Sequence, residues 1–138
     1  MDIPISLIPI EPDGFHIMMN ASINGYKANV LIDTGASKTI MDLARAKEYL
    51  KNPEIRPYDK KTVGMGAGRI QTWVCDLPEI SIGGKRLKDL QIVLIDLKTI
   101  NEYYAMYDLP RIDIVLGGDL LMQFGAVIDY HEKLLKIR

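Results

Sequence analysis

An acid closes an aliphatic run in Val30-Leu31-Ile32-Asp33-Thr34-Gly35-Ala36-Ser37. A strand that is apolar on both faces is a buried strand, so a carboxylate at its end sits where the core stops and a turn begins. That placement holds Asp33 rigidly yet leaves it open to a cleft, where a carboxylate can act as general acid or base. Thr34 offers a hydroxyl to fix the loop, and Gly35 permits a close approach that a side chain would block. The plainer reading is that Asp33 only caps the turn with its carboxylate. If Asp33 does chemistry, the chain offers poor candidates for a partner acid. Val127-Ile128-Asp129-Tyr130 lacks the Thr-Gly turn and lies on an expected terminal hairpin, while Asp119 follows Gly117-Gly118 and is expected to cap a helix.

Other chemistries find little support. "GASKT" is not a phosphate loop, because Ser37 stands where Gly must precede the Lys. "GMGAG" is not GxGxxG and is badly placed for a nucleotide. Cys75 is the single cysteine, read as a small buried hydrophobe, so neither an internal disulfide nor a thiolate zinc site is available. His16 and His131 are isolated. No metal and no cofactor are expected.

The elements that must position Asp33 are short strands punctuated by Gly, Pro and Asn. Residues 15 to 32 predict a β-hairpin turning at Asn24-Gly25 and running into Asp33. Residues 39 to 51 favour a helix stopped by Pro53. "KTVGMGAGRIQTWVCDL" reads as two strand-like runs flanking a glycine-rich tip, and 79 to 96 as a hairpin turning at Gly83-Gly84. Residues 97 to 108 lean helical; "IDIVLGG" reads as a buried strand, "DLLMQF" as a short helix and "AVIDYHEKLLKI" as a terminal hairpin. The halves echo each other, since "NVLIDTG" and "DIVLGG" are both aliphatic strands ending at glycine before a helix. The fold class expected is all-β, a small closed or sandwich-like barrel with two or three short helices.

At 138 residues the chain fits a single domain spanning 1–138. Its 48% hydrophobic and 25% charged content is that of a globular chain rather than a disordered or fibrous one. A net charge of −1 with no basic run longer than two residues gives no electrostatic case for nucleic acid or an anionic membrane. No segment approaches the roughly 18 apolar residues of a membrane span. The N-terminus has no basic segment and carries prolines where a signal peptide is apolar, so a cytoplasmic location is expected.

Asp33-Thr34-Gly35-Ala36 after its aliphatics resembles the active-site motif of the retropepsin-like (retroviral and retrotransposon-type) aspartic proteases. "IVLGGDLLMQFGAVIDY" resembles the second signature of that family, and "VGMGAGRIQTW" lies between them where the family places its flap. The resemblance runs in order over about residues 15 to 135. It implies a closed retropepsin-like barrel with pseudo-twofold halves and a flap hairpin, and an aspartic endopeptidase with no metal or cofactor. Such hydrolysis needs two carboxylates sharing one proton, because like charges about 3 Å apart cannot both ionise easily. With one such motif in the chain, the resemblance implies a homodimer in which Asp33 faces its own copy.

By the same resemblance Asp33 is the catalytic carboxylate, Thr34 braces the two loops across the axis, and Gly35 lets them approach. Ala36 replaces the serine of pepsin-like enzymes, which implies a pH optimum nearer neutral. Gly64, Met65, Gly66, Ala67 and Gly68 are the expected flap tip over an extended peptide, with Ile70 and Trp73 as pocket or flap-base candidates, and Gly117 is the second-signature glycine. Three departures stand out. The interval from Asp33 to Gly117 is longer than in the compact viral enzymes, with 97 to 112 as an inserted segment. Gly118 stands where those enzymes carry an arginine, and the terminal hairpin argues against their terminal-strand interface. The alternative reading is a catalytically silent module of the same fold that binds peptides or dimerises.

Overall fold

The computed structural model describes residues 1–58 and 70–138. Its elements run in the order β1 (Asp2–Pro4), β2 (Ser6–Ile10), β3 (Gly14–Ile23), β4 (Tyr26–Ile32), β5 (Ile40–Asp42), α1 (Leu43–Tyr49) and β6 (Arg56–Pro57). There follow β7 (Trp73–Ile82), β8 (Lys85–Ile95), α2 (Lys98–Met106), β9 (Ile114–Leu116), α3 (Gly118–Gln123), β10 (Val127–Asp129) and β11 (Leu134–Lys136).

The predicted hairpin at 15 to 32 forms, and its turn shows why. Asn24 and Gly25 both adopt positive φ, 48° and 87°, the geometry that matches strand twist in a two-residue turn. β3 then pairs along its length with β4, from Ile17 opposite Ile32 to Ile23 opposite Tyr26. On its other edge β3 takes β2 at one end and β7 at the other, through Ser22–Ser81 and Ile23–Ile80. That last contact closes β3-β4-β9-β5-β8-β7 into a barrel of six strands. A separate three-stranded sheet, β1-β11-β10, joins the first residues to the terminal hairpin.

Two apolar clusters explain the uninterrupted aliphatic runs. Ile17, Met19, Ala21 and Ile23 of β3 point into the main core with Val30 and Ile32 of β4. Met18 points the other way, into a second cluster with Leu31, Val115, Leu97, Ile112 and Tyr104. Helix α2 and its flanks thus cover the outside of the barrel where β4 and β9 lie side by side. Val30, Leu31 and Ile32, like Ile114, Val115 and Leu116, are buried on both faces. Cys75 is fully buried in the main core, and burial pushes its thiol up.

Three expectations about elements are corrected. Residues 39 to 51 are not one helix, because Ile40–Asp42 forms β5, inserted parallel to β8 and antiparallel to β9. Strand partners on both edges override the local helical preference there. The stretches 73–77 and 79–82 are not separate strands but the single strand β7, which runs through Pro78. Its ladder with β8 skips the Pro78–Asp89 position, where Asp89 takes a φ of 54° and Pro78 has no N–H to give. Asp119 does not cap its helix; α3 begins at Gly118, so Asp119 lies inside the first turn. The hairpins β7–β8 and β10–β11, with α2, β9 and α3, lie where the pattern placed them. No helix among the described residues is long and apolar enough to cross a membrane.

A buried ionic network ties the second cluster to the barrel. Asp42 accepts hydrogen bonds from Leu97 N at 3.1 Å and the Arg111 guanidinium at 2.8 Å. Asp113 accepts from Asn29 N and Arg45 Nε, both at 2.7 Å. Each carboxylate is 2% exposed, and Arg111 also lies 3.9 Å from Asp113, so removal of Arg111 would strand the Asp42 charge inside the protein.

Candidate active site

Asp33 follows the last residue of β4, and its N–H continues the parallel ladder by donating to Leu116 O of β9 at 3.0 Å. The chain then turns: Ala36 N donates to Asp33 O at 3.1 Å, and Gly35 N donates to the Asp33 carboxylate at 2.9 Å. The carboxylate therefore does brace its own turn, yet Asp33, Thr34 and Gly35 remain exposed. A carboxylate has about four acceptor positions, so one backbone contact leaves most of Asp33 free for other chemistry.

The rigidity of this loop comes from behind it. Gly117 follows β9, and a methyl there would lie 2.7 Å from both Ala36 O and Lys38 O, so the loop rests directly on that backbone. Gly118 N and Asp119 N, at the start of α3, donate to Ala36 O at 2.7 Å and Ser37 O at 3.2 Å. Asp119 Oδ1 accepts from Thr39 N at 2.9 Å and Thr39 Oγ1 at 2.7 Å, while the Thr39 hydroxyl accepts from Gly117 N at 3.0 Å. Thr39 is buried, so these contacts are shielded from water.

In front of the loop lies a cavity of about 350 Å³, whose wall includes Asp33, Thr34, Phe15, Ile17, Ile32 and Ile128. His16, Leu31, Ile100 and Tyr130 complete it, and Asp33 is the sole acid among these residues. A larger cavity of about 620 Å³ lies between α1 and α2, lined by Asp42, Lys47, Asn101 and Arg111 among others. Its size does not make it the reactive site. It shares no residue with the Asp33 cavity, and its most buried carboxylate, Asp42, is committed to Arg111.

Of the residues singled out in the sequence, the fold gathers Asp33, Thr34, Gly35 and Ala36 against Gly117. The expected flap residues Gly64, Met65, Gly66, Ala67 and Gly68 lie outside the described residues. Trp73 is half-buried against the main core and Ile70 is exposed. Sequence reasoning missed Thr39 and Asp119 as loop supports, and His16, Ile100, Ile128 and Tyr130 as cavity wall. The signals were faint: a threonine just beyond the turn, and histidine in an alternating strand.

A family model described as aspartyl protease matches residues 19–120. Over 125 residues the chain is 31% identical to DNA damage-inducible protein 1 of Saccharomyces cerevisiae. That match covers 88% of this chain but 25% of the yeast protein, so the chain spans about a quarter of that relative's length. Among solved structures, a retropepsin-like aspartic protease from Rickettsia conorii superposes with a TM-score of 0.58 at 20% identity, covering 98% of this chain and 85% of that one. EIAV protease complexed with the inhibitor HBY-793 gives a TM-score of 0.58 at 22% identity, over 88% of this chain and 99% of that one. The retroviral protease-like domain of Ddi1 from Leishmania major gives 0.56 at 18% identity, over 87% and 86%.

Proposed function

The chain belongs to the aspartyl protease family and has the retropepsin-like fold, and from that premise we propose that it is an aspartic endopeptidase active as a homodimer. One observation carries the proposal. Asp33 is an exposed carboxylate, fixed by a braced loop, in a cavity that holds no second acid among the described residues. Asp42, Asp113 and Asp119 are consumed by internal bonds, and Asp129 accepts from Glu132 N on the terminal hairpin. The missing partner is then Asp33 of a second copy, brought across a twofold axis.

In that arrangement the two carboxylates share one proton. The ionised one takes a proton from water as the water oxygen bonds to the peptide carbonyl carbon. The protonated one gives its proton to the carbonyl oxygen, producing a neutral tetrahedral diol. Collapse breaks the C–N bond as the aspartic acid that took the water proton gives it to the leaving nitrogen, while the other carboxylate takes a proton from one diol hydroxyl, releasing acid and amine and restoring the shared proton. The Thr34 hydroxyl, which has no hydrogen-bond partner among the described residues, braces the facing loop, and Gly35 keeps the approach open. The surface beside Asp33 suits a second copy: Phe15 and Tyr130 are exposed next to it, and β10 leaves one edge unpaired among the described residues. An extended peptide in the cleft completes the proposed site.

Cleavage of an unbiased peptide library by the wild-type protein, lost in Asp33→Asn with the circular dichroism spectrum unchanged, is the expected result. Cleavage that survives the substitution contradicts the mechanism. A wild-type dimer that cleaves nothing at any pH would favour the silent binding module instead.

A further inference from the structure

Helix α2 belongs to the inserted segment, yet it reaches the Asp33 cavity. Ile100, on its first turn, lines that cavity, and Tyr104, four residues on and therefore on the same helix face, is 1% exposed beneath it. The Tyr104 hydroxyl is hydrogen-bonded to Nδ1 of His16, and the two rings stack with centroids 5.7 Å apart. His16 in turn lines the cavity with Asp33, whereas Tyr104 does not.

The direction of that hydrogen bond follows from what surrounds it. A buried hydroxyl must place its hydrogen on an acceptor, and His16 Nδ1 is the one partner of Tyr104 Oη among the described residues. If Nδ1–H donated instead, the tyrosine hydrogen would be left buried and unpaired, at a cost of about 1–3 kcal/mol. So Tyr104 donates, Nδ1 accepts, and the neutral imidazole carries its proton on Nε2. Nε2 has no protein partner among the described residues, and the His16 side chain that carries it lines the cavity. The cavity wall is apolar at Phe15, Ile17, Leu31, Ile32, Ile100 and Ile128 and polar at Asp33, Thr34 and Tyr130.

We propose that α2 forms a wall of the substrate cleft, and that Tyr104, as a positioning residue, fixes His16 to donate from Nε2 to a carboxamide-bearing substrate side chain, glutamine, near the scissile bond. The inference rests on reading Asp33 as the cleaving acid. The match is of shape and polarity: an aliphatic stem against the apolar part of the wall, with a neutral carbonyl oxygen at the His16 donor. Glutamate shares the stem and the acceptor, but its charge is desolvated in an apolar wall, so it ranks below glutamine. Methionine has the length without a strong acceptor.

The test uses the full chain and a peptide set in which each position within three residues of the scissile bond carries Gln, Glu or Met in turn. At one position, kcat/KM for Gln should exceed that for Met by about 10-fold, the worth of one hydrogen bond in a desolvated site. His16→Leu should abolish or reverse that order. Tyr104→Phe keeps the ring but loses the donor, and should raise KM for the Gln peptide more than for the Met peptide. Imidazole ¹⁵N spectra of Asp33→Asn protein should show His16 as the Nε2–H tautomer, shifting to a mixture when Tyr104→Phe is added. Equal rates for Gln and Met at every position, a preference that survives His16→Leu, or an Nδ1–H tautomer would each overturn the inference while leaving the protease reading standing. Failure of the wild type to cleave any of the peptides would overturn both.

Discussion

The corner after β4 and the corner after β9 are built alike and used differently. Each is a doubly buried aliphatic strand, the two lie parallel and paired from Val30–Ile114 to Ile32–Leu116, and each turns at a glycine. The first presents an exposed acid, Asp33, to a cavity. The second ends at Gly117, where backbone meets the back of the Asp33 loop so tightly that a methyl has no room. One corner presents the acid proposed to react, and the other braces the loop that holds it. A third aliphatic run, Val127-Ile128-Asp129, also ends in an acid, but that carboxylate accepts from Glu132 N at 2.9 Å and lies 3.7 Å from Lys136. An acid at a strand end is therefore not enough; it must be left available and held from behind.

Substitutions should separate these roles. Asp33→Asn should lower kcat/KM by at least about 100-fold, the usual share of one acid–base group, with little change in Tm. Equal losses of activity and stability would mean that Asp33 is structural. Gly117→Ala should do the reverse in the first instance, destabilising by about 1–3 kcal/mol through overpacking against Ala36 O and Lys38 O. Thermal unfolding measures that loss, and a Tm equal to wild type would show that the loop does not rest on β9. Thr39→Val removes the hydroxyl between Gly117 N and Asp119, and should cost on the order of 1 kcal/mol in urea unfolding.

The smallest effect belongs to Asp129. The Glu132 backbone N–H, and then Lys136, hold its carboxyl below the ordinary range. A depressed folded-state value means its contribution is full above the ordinary carboxylate range and is lost as pH falls through the lower, folded-state value. Protection factors across residues 127–136, taken relative to the intrinsic exchange rate at each pH, should therefore fall on acidification, and Asp129→Asn should flatten that acid dependence. An unchanged profile would remove the contrast drawn between this acid and Asp33.

Much of this arrangement was legible in the sequence because it is local. Asn24-Gly25 dictates a turn through its backbone preference, and uninterrupted aliphatics announce strands buried on both faces. The order of the Asp33 and Gly117 motifs carried the family. What escaped was decided by tertiary partners. Ile40–Asp42 becomes strand because β8 and β9 flank it, and the first ten residues contribute β1 and β2 because β11 and β3 offer them edges. Likewise, nothing near His16 in sequence signals that Tyr104, 88 positions away, is its partner. Thr39 looked like an ordinary helix start, and its role emerges only when α3 is brought beside it.

The central claim, that Asp33 works opposite its own copy, is tested most directly by mixing subunits. Wild-type and Asp33→Asn proteins are combined at fixed total concentration, exchanged to equilibrium, and assayed for peptide cleavage. If each active centre needs both aspartates, activity falls as the square of the wild-type fraction. Activity that falls in simple proportion to that fraction would mean each chain cleaves alone, and would contradict the account.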